Sequence, residues 1–300
     1  MVLGRLNSGA LVPKGSILES VSAIFIVFLC KERKKNELMR FKFLGTGTSQ
    51  GIPLIGCDCA TCRSKDRRDK RLRPSLYVKL PSGEGILVDI SPDFRAQALR
   101  YKLPRVDAIL VTHEHRDHIG GLDDIRPFNF RQGEIPMFAM PRTAAAVKRA
   151  FDYIFQENRY PGAPMVTMHE LQSETQPFAP LEAKPDFVVQ PVPVLHGSLP
   201  IVGYRFGDVA YLTDTKYIPD SSMPLLTNLK TLVISALHQQ EHHSHSTLEE
   251  AIVWAQRVGA EQTYFMHMSH QLPPAATVSG WLPKGIALAY DRSEERRVGK

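Results

Sequence analysis

Short apolar runs bounded by turn residues recur along this chain of 300 residues. The runs near 41–44, 76–80, 85–90, 108–112, 136–140, 187–195, 202–207, 209–213, 231–236, 263–267 and 285–290 have strand length and are mostly aliphatic or aromatic. Three stretches, near 92–101, 142–155 and 248–259, instead predict helices. The first follows Ser91-Pro92, a helix start signal. In the last, Leu248, Ala251, Ile252, Ala255 and Val258 repeat at helical spacing, and Ser246 with Glu249 reads as a capping box. Strands alternate with helical stretches, which predicts an α/β fold of two packed sheets with helices outside. A hydrophobic content of 43% is enough for one sizeable core.

The two ends break this pattern. Residues 1–38 hold Ala23-Ile24-Phe25-Ile26-Val27-Phe28-Leu29-Cys30 followed by Lys31-Glu32-Arg33-Lys34-Lys35. That apolar run falls short of the roughly 18–20 residues needed to span a bilayer, and no small-residue cleavage site follows it. It is expected to be an extension outside the fold, arising from a start upstream of Met39 or serving as a weak membrane-surface anchor. The domain is then 39–291, and 292–300 reads as a non-native or disordered tail. Residues 1–38 and 291–300 carry +3 and +1 of the formal charge of +6, so the body between them is only +2. A nearly neutral body weakens any general case for nucleic-acid binding. The basic run Arg63–Arg73 is expected to be a solvated loop around the cysteines, the alternative being that some of its arginines help hold an anionic substrate.

Chemistry concentrates at strand ends. The run Ala108-Ile109-Leu110-Val111 leads into Thr112-His113-Glu114-His115-Arg116-Asp117-His118. In an extended segment His113 and His115 leave on the same side, and Asp117 and His118 follow where the chain turns, within reach of a second metal. Imidazole and carboxylate suit zinc, manganese or iron. Three further residues of ligand type close apolar runs: His196 after 187–195, Asp214 after 209–213, and His267 after 263–266. Asp89 closes another. Cys57, Cys59 and Cys62 stand too close together to pair as disulfides with one another, so they read as ligands of a soft metal in a reducing, cytoplasmic setting. Three thiolates need a fourth ligand to close a structural zinc site, and His270 is the candidate. His245 precedes the helix that begins near Leu248, where backbone N–H groups favour an anion. His242 and His243 are expected to be solvated.

The His113–His118 segment resembles the H-x-H-x-D-H signature of the metallo-β-lactamase superfamily. That resemblance implies an αββα sandwich with two metals: His113, His115 and His196 on the first, and Asp117, His118 and His267 on the second. Asp214 would bridge them, and Asp89 would support the loop from behind. The opening Leu44-Gly45-Thr46-Gly47-Thr48-Ser49-Gln50-Gly51-Ile52-Pro53, the three cysteines and His267-Met268-Ser269-His270-Gln271 resemble the phosphoribosyl cyclic phosphate phosphodiesterase (PhnP) branch over residues 40–290. The implied activity is hydrolysis of a small anionic phosphodiester, such as 5-phosphoribosyl 1,2-cyclic phosphate, by a hydroxide shared between two ions. In that reading His245 lies near the phosphate, and Asp117 also orients the nucleophile. The alternative is a nuclease of the tRNA 3′-processing or exonuclease type. Nothing between His118 and His196 reads as a basic nucleic-acid arm. Neither substrate nor metal identity is legible here, and a homodimer is left open.

Overall fold

A computed structural model describes residues 38–291 and 293–298. The expected extension 1–38 therefore lies outside the described residues except at Leu38. Strands β1 (Leu38–Gly45), β2 (Ser75–Lys79), β3 (Gly85–Val88), β4 (Ala108–Leu110), β5 (Ile135–Ala139) and β6 (Val166–Glu170) form one sheet in sequence order. Strands β7 (Gln190–His196), β8 (Leu199–Phe206), β9 (Val209–Leu212), β10 (Thr231–Ser235), β11 (Gln262–Met266) and β12 (Ile286–Leu288) form the second, in reverse order. A thirteenth strand, β13 (Glu294–Val298), returns to the first sheet beside β1. The helices used below are α1 (Ala60–Arg63), α2 (Phe94–Tyr101), α3 (Arg116–Ile119), α4 (Arg126–Gln132), α5 (Pro141–Ala150) and α6 (Leu248–Val258).

The αββα layering follows from strand alternation. In β3, Ile86 and Val88 pack between the sheets, whereas Leu87 faces the helix layer with Phe94 and Phe128. β4 repeats this with Ala108 and Leu110 against Ile109. In the second sheet Val233 and Met266 face inward, while Ile234 and Phe265 pack under Ala251 and Trp254 of α6. Three apolar layers result, and the strands, buried on both faces, read as continuous apolar runs.

Four expectations are corrected. The predicted helix 142–155 stops at Ala150, because Phe151 leaves helical geometry at φ −131° and ψ 44° before a short turn resumes. The capping box sits one residue later than read: Thr247 caps α6 and Glu250 closes the box, while Ser246 Oγ donates instead to Thr215 O at 2.7 Å. Strand β6 was not expected, since Val166 is its one buried residue and its pattern is that of a mostly exposed edge. Finally, part of 292–300 is a strand rather than a disordered tail. β13 runs antiparallel to β1 from Leu38↔Val298 to Lys42↔Glu294 and covers what would otherwise be an open sheet edge.

Candidate metal centre

The ligand-type residues meet because their strands end along one rim of the sandwich. Asp89 follows β3, His113 follows β4, His196 closes β7, Asp214 follows β9 and His267 follows β11. Asp89, Asp214 and His267 have φ of 60°, 55° and 57°, the left-handed region that non-glycine residues avoid. These are three of the five non-glycine residues with positive φ among the described residues. At each, the backbone turns sharply just past the strand.

Two groups of donors form there. His113, His115, His196 and Asp214 make one set, and Asp117, His118, Asp214 and His267 make the other. Within each set the ligand atoms lie within 4.8 Å of one another, and Asp214 belongs to both. His113 Nε2 is 3.0 Å from His115 Nδ1 and 3.8 Å from Asp214 Oδ2. His118 Nε2 is 3.3 Å from both Asp117 Oδ2 and Asp214 Oδ1, and His267 Nε2 is 3.4 and 3.2 Å from the same two oxygens. Except for His115, which is exposed, every member is buried.

Outer contacts orient these rings. His118 Nδ1 is 2.7 Å from Asp89 Oδ2, His196 Nδ1 donates to Ser244 O at 2.7 Å, and His113 Nδ1 is 3.1 Å from Thr112 Oγ1. Each contact leaves Nε2 free to face the centre. Asp89 also accepts from Thr112 N and Thr112 Oγ1 at 2.8 and 2.9 Å, which locks the start of the histidine loop. The resemblance gave Asp89 a supporting role, and the structure places it against both His118 and Thr112. Thr112 was not singled out from sequence, although its place before His113 was the available signal.

The electrostatics fit cations. Burial opposes charge on His118, yet Asp214, Asp117 and Asp89 outweigh it and hold its proton affinity well above that of an ordinary imidazole. Burial would also raise Asp214, but His267 and His118 hold it well below the usual carboxylate range. His118 Nε2 is buried with no hydrogen-bond partner although it faces two carboxylates. Buried carboxylates facing free imidazole nitrogens make a donor set that a pair of divalent ions would satisfy.

His245 lies two residues before the Thr247 cap, one residue further from the helix than the sequence reading put it. It is buried, with its ring 4.4 Å from that of His196 and stacked 4.9 Å from that of His267. Its Nδ1 is 4.0 Å from Asp214 Oδ2. His242, expected to be solvated, is half-buried, and its ring lies 5.1 Å from that of His245. His238 was missed by sequence reasoning. It is buried just past β10, with an unpartnered Nδ1, and its ring is 5.8 Å from that of His242.

The cysteines gather as expected. Cys57, Cys59, Cys62 and His270 form a third donor group, with Cys57 Sγ and Cys59 Sγ at 3.3 and 3.6 Å from His270 Nδ1. A tetrahedral zinc site has ligand–ligand edges of about 3.5–3.8 Å, so the four atoms fit one. Backbone N–H groups add support: Leu54 N donates to Cys62 Sγ at 3.3 Å, and Cys62 N, in α1, donates to Cys59 Sγ at 3.4 Å. Burial is the largest single influence on Cys59 and raises its thiol, but the Cys62 N–H together with His270, Cys62 and Cys57 outweighs it and draws the thiol down to about 6. Burial pushes the Cys62 thiol up to about 11. The basic run beside this cluster is not wholly solvated. Arg71 is buried and donates to Thr46 Oγ1 and Ala289 O at 2.8 and 2.6 Å, and Lys70 Nζ reaches Cys62 O at 3.0 Å.

No helix among the described residues is long and apolar enough to cross a membrane. Comparison with known proteins agrees with the geometry. Residues 85–268 match the beta-lactamase superfamily domain. A solved structure described as a new diphosphatase from the PhnP family is 42% identical, with TM-score 0.79, over 86% of this chain and 97% of that one. Zinc-bound PqqB from Methylobacterium extorquens shares the fold at 19% identity and TM-score 0.69, over 85% of this chain and 99% of that one. A Porphyromonas gingivalis protein named octanoyltransferase is 40% identical over 257 residues, 85% of this chain, but the chain spans only 51% of that relative's length. The chain thus belongs to the metallo-β-lactamase superfamily, and it is similar over most of its length to a PhnP-family diphosphatase.

Proposed function

We propose that this chain hydrolyses a small phosphodiester, with 5-phosphoribosyl 1,2-cyclic phosphate as the first candidate. The observation that carries the reading is Asp214, one carboxylate belonging to two adjoining donor sets. His113, His115 and His196 would hold one divalent ion, and Asp117, His118 and His267 the other, manganese, zinc or iron being compatible with these ligands. Two ions there would supply Lewis acidity for a phosphoryl oxygen and acidify a bound water.

The remaining work falls to the chain. Asp89 and Thr112 hold the histidine loop so that His118 keeps one ring nitrogen facing inward. Asp117 Oδ2 lies 3.3–3.4 Å from His118 and His267, which leaves its other oxygen to orient the attacking water. Burial, together with His267, His196 and His242, pushes His245 down to about 2 despite Asp214 nearby. It is therefore a neutral imidazole, which offers an N–H to a phosphoryl or departing oxygen without adding charge. Cys57, Cys59, Cys62 and His270 would hold a structural zinc, with all four positions filled by protein.

A second reading, cleavage of a small diphosphate, is favoured by the 42% identical relative described as a diphosphatase. The octanoyltransferase name is not carried over, because the match spans half of that protein. The test is turnover of the cyclic phosphate, of small diphosphates and of RNA by the full chain with Mn²⁺ or Zn²⁺, beside Asp214→Ala. Turnover of the cyclic phosphate that vanishes in the variant supports the proposal. A folded, metal-replete protein that cleaves only diphosphates moves the assignment to the second reading, and one that cleaves only RNA sinks both.

A further inference from the structure

Away from the metal centre, a cleft of about 530 Å³ opens between α2 and α4. Its walls are apolar: Leu99, Leu103, Pro104 and Phe128 contribute most of them. Leu103 and Phe128 are buried, whereas Leu99 is 63% exposed. Three cations, Arg95, Lys102 and Arg131, stand around the cleft against a single acid, Asp124. Arg131 lies over the Phe128 ring at 4.9 Å and bonds Pro127 O at 3.2 Å, so its position is set. The side chains of Arg95 and Lys102 have no hydrogen bond or ion pair among the described residues.

This lining is unlike that of the catalytic rim, which is histidine and carboxylate. The cleft also lies behind that rim: α2 leaves from the turn after Asp89, and α4 follows the segment after His118. Ile90 N to His118 O at 2.7 Å and Gly121 N to Ile90 O at 2.9 Å join those two segments, and none of the His/Asp donors lines the cleft. An apolar floor with an excess of cations at its edge complements a molecule with a hydrocarbon body and an anionic head. The volume is that of a site for one small molecule, not a groove for a polypeptide.

We propose that this cleft is a second binding site, specific for a small amphipathic anion such as a medium-chain carboxylate or alkyl phosphate. The head pairs with Arg95 and Lys102, and the hydrocarbon lies on Leu99, Leu103 and Phe128. The test is calorimetric titration of the full chain with octanoate, octyl phosphate and octylammonium. It is repeated on Arg95→Glu/Lys102→Glu and on Leu99→Asp, both changes at exposed positions, with folding checked by circular dichroism. Saturable one-to-one binding of octanoate or octyl phosphate, absent for octylammonium and weakened roughly tenfold or more in either variant, supports the site. Whether carboxylate or phosphate binds more tightly identifies the head group. Absence of saturable binding overturns the proposal. So does binding that survives in both folded variants, because the anion then sits elsewhere, for example at the metal centre.

Discussion

His267 and His270 stand three residues apart, yet they belong to two donor clusters of different make. The His/Asp centre is nearly all buried, mixes imidazoles with carboxylates and draws its members from four strand ends across both sheets. The Cys3His cluster is half-buried, takes three ligands from six consecutive residues and needs only His270 from afar. The first arrangement leaves a site whose precision depends on the whole sandwich, with His115 open to solvent. The second is closed by its own four ligands and fastens one loop. Pairing of Thr48 N with Met268 O at 3.0 Å and of Met268 N with Thr46 O at 3.1 Å ties the segment before that loop to the stretch between the two histidines. Under the proposed function the difference separates a centre for chemistry from one for anchorage, and it can be tested in order of expected effect.

Asp214→Ala should do most harm, since one side chain leaves both donor sets. Turnover should fall by no less than the roughly 10²–10³-fold cost of removing a single oxyanion donor. Metal analysis should show the His/Asp ions gone and the thiolate-bound zinc retained; loss of all metal would break the distinction. Asp89→Asn keeps every inner donor but weakens the hold on His118 and Thr112. A fall of about 10–100-fold in activity or metal affinity is expected, with unchanged thermal stability of the Cys3His loop.

Cys59→Ser should act in the opposite sense. Loss of the structural metal should lower the melting temperature by roughly 10 °C, with a smaller loss of turnover per bound catalytic metal than Asp214→Ala. If turnover collapses while melting is unchanged, the anchorage reading fails. In protein stripped of metal, Cys59 should alkylate with a midpoint near pH 6, while Cys62, held up to about 11, stays protonated and slow. Because the folded value for Cys59 lies below its ordinary 9.0, its thiolate stabilises the loop fully above pH 9, and that contribution is lost as the pH falls through about 6. Thr247→Ala, which removes the cap behind His245, should cost only about 1 kcal/mol, or roughly 2–4 °C in melting temperature.

The centre was readable from sequence because its ligands close apolar runs: a strand end is visible as periodicity, and the residue after it is visible by type. Each of His113, His196, Asp214 and His267 carries that signature. Boundaries set by a single backbone contact were harder to read. Ser246 and Thr247 are equally good capping residues, and only the bond from Ser246 to Thr215 O decides between them. Burial of Arg71 depends on Thr46 and Ala289, far away in the chain, so neighbouring residues gave no warning. Strand β13 was missed because its charged residues have no strand pattern; its place is set by the free edge of β1.

The left-handed backbone at Asp214 and His267 has a bearing on how this chain would change under selection. Such a conformation costs about 1–3 kcal/mol in a residue with a side chain, and glycine adopts it freely. A library of variants sorted only for folding should therefore accumulate glycine at these two positions and arrive at a sturdier, inert protein. The same library sorted for turnover should hold aspartate and histidine there against that gradient, so the two positions register whether function or stability has been the criterion.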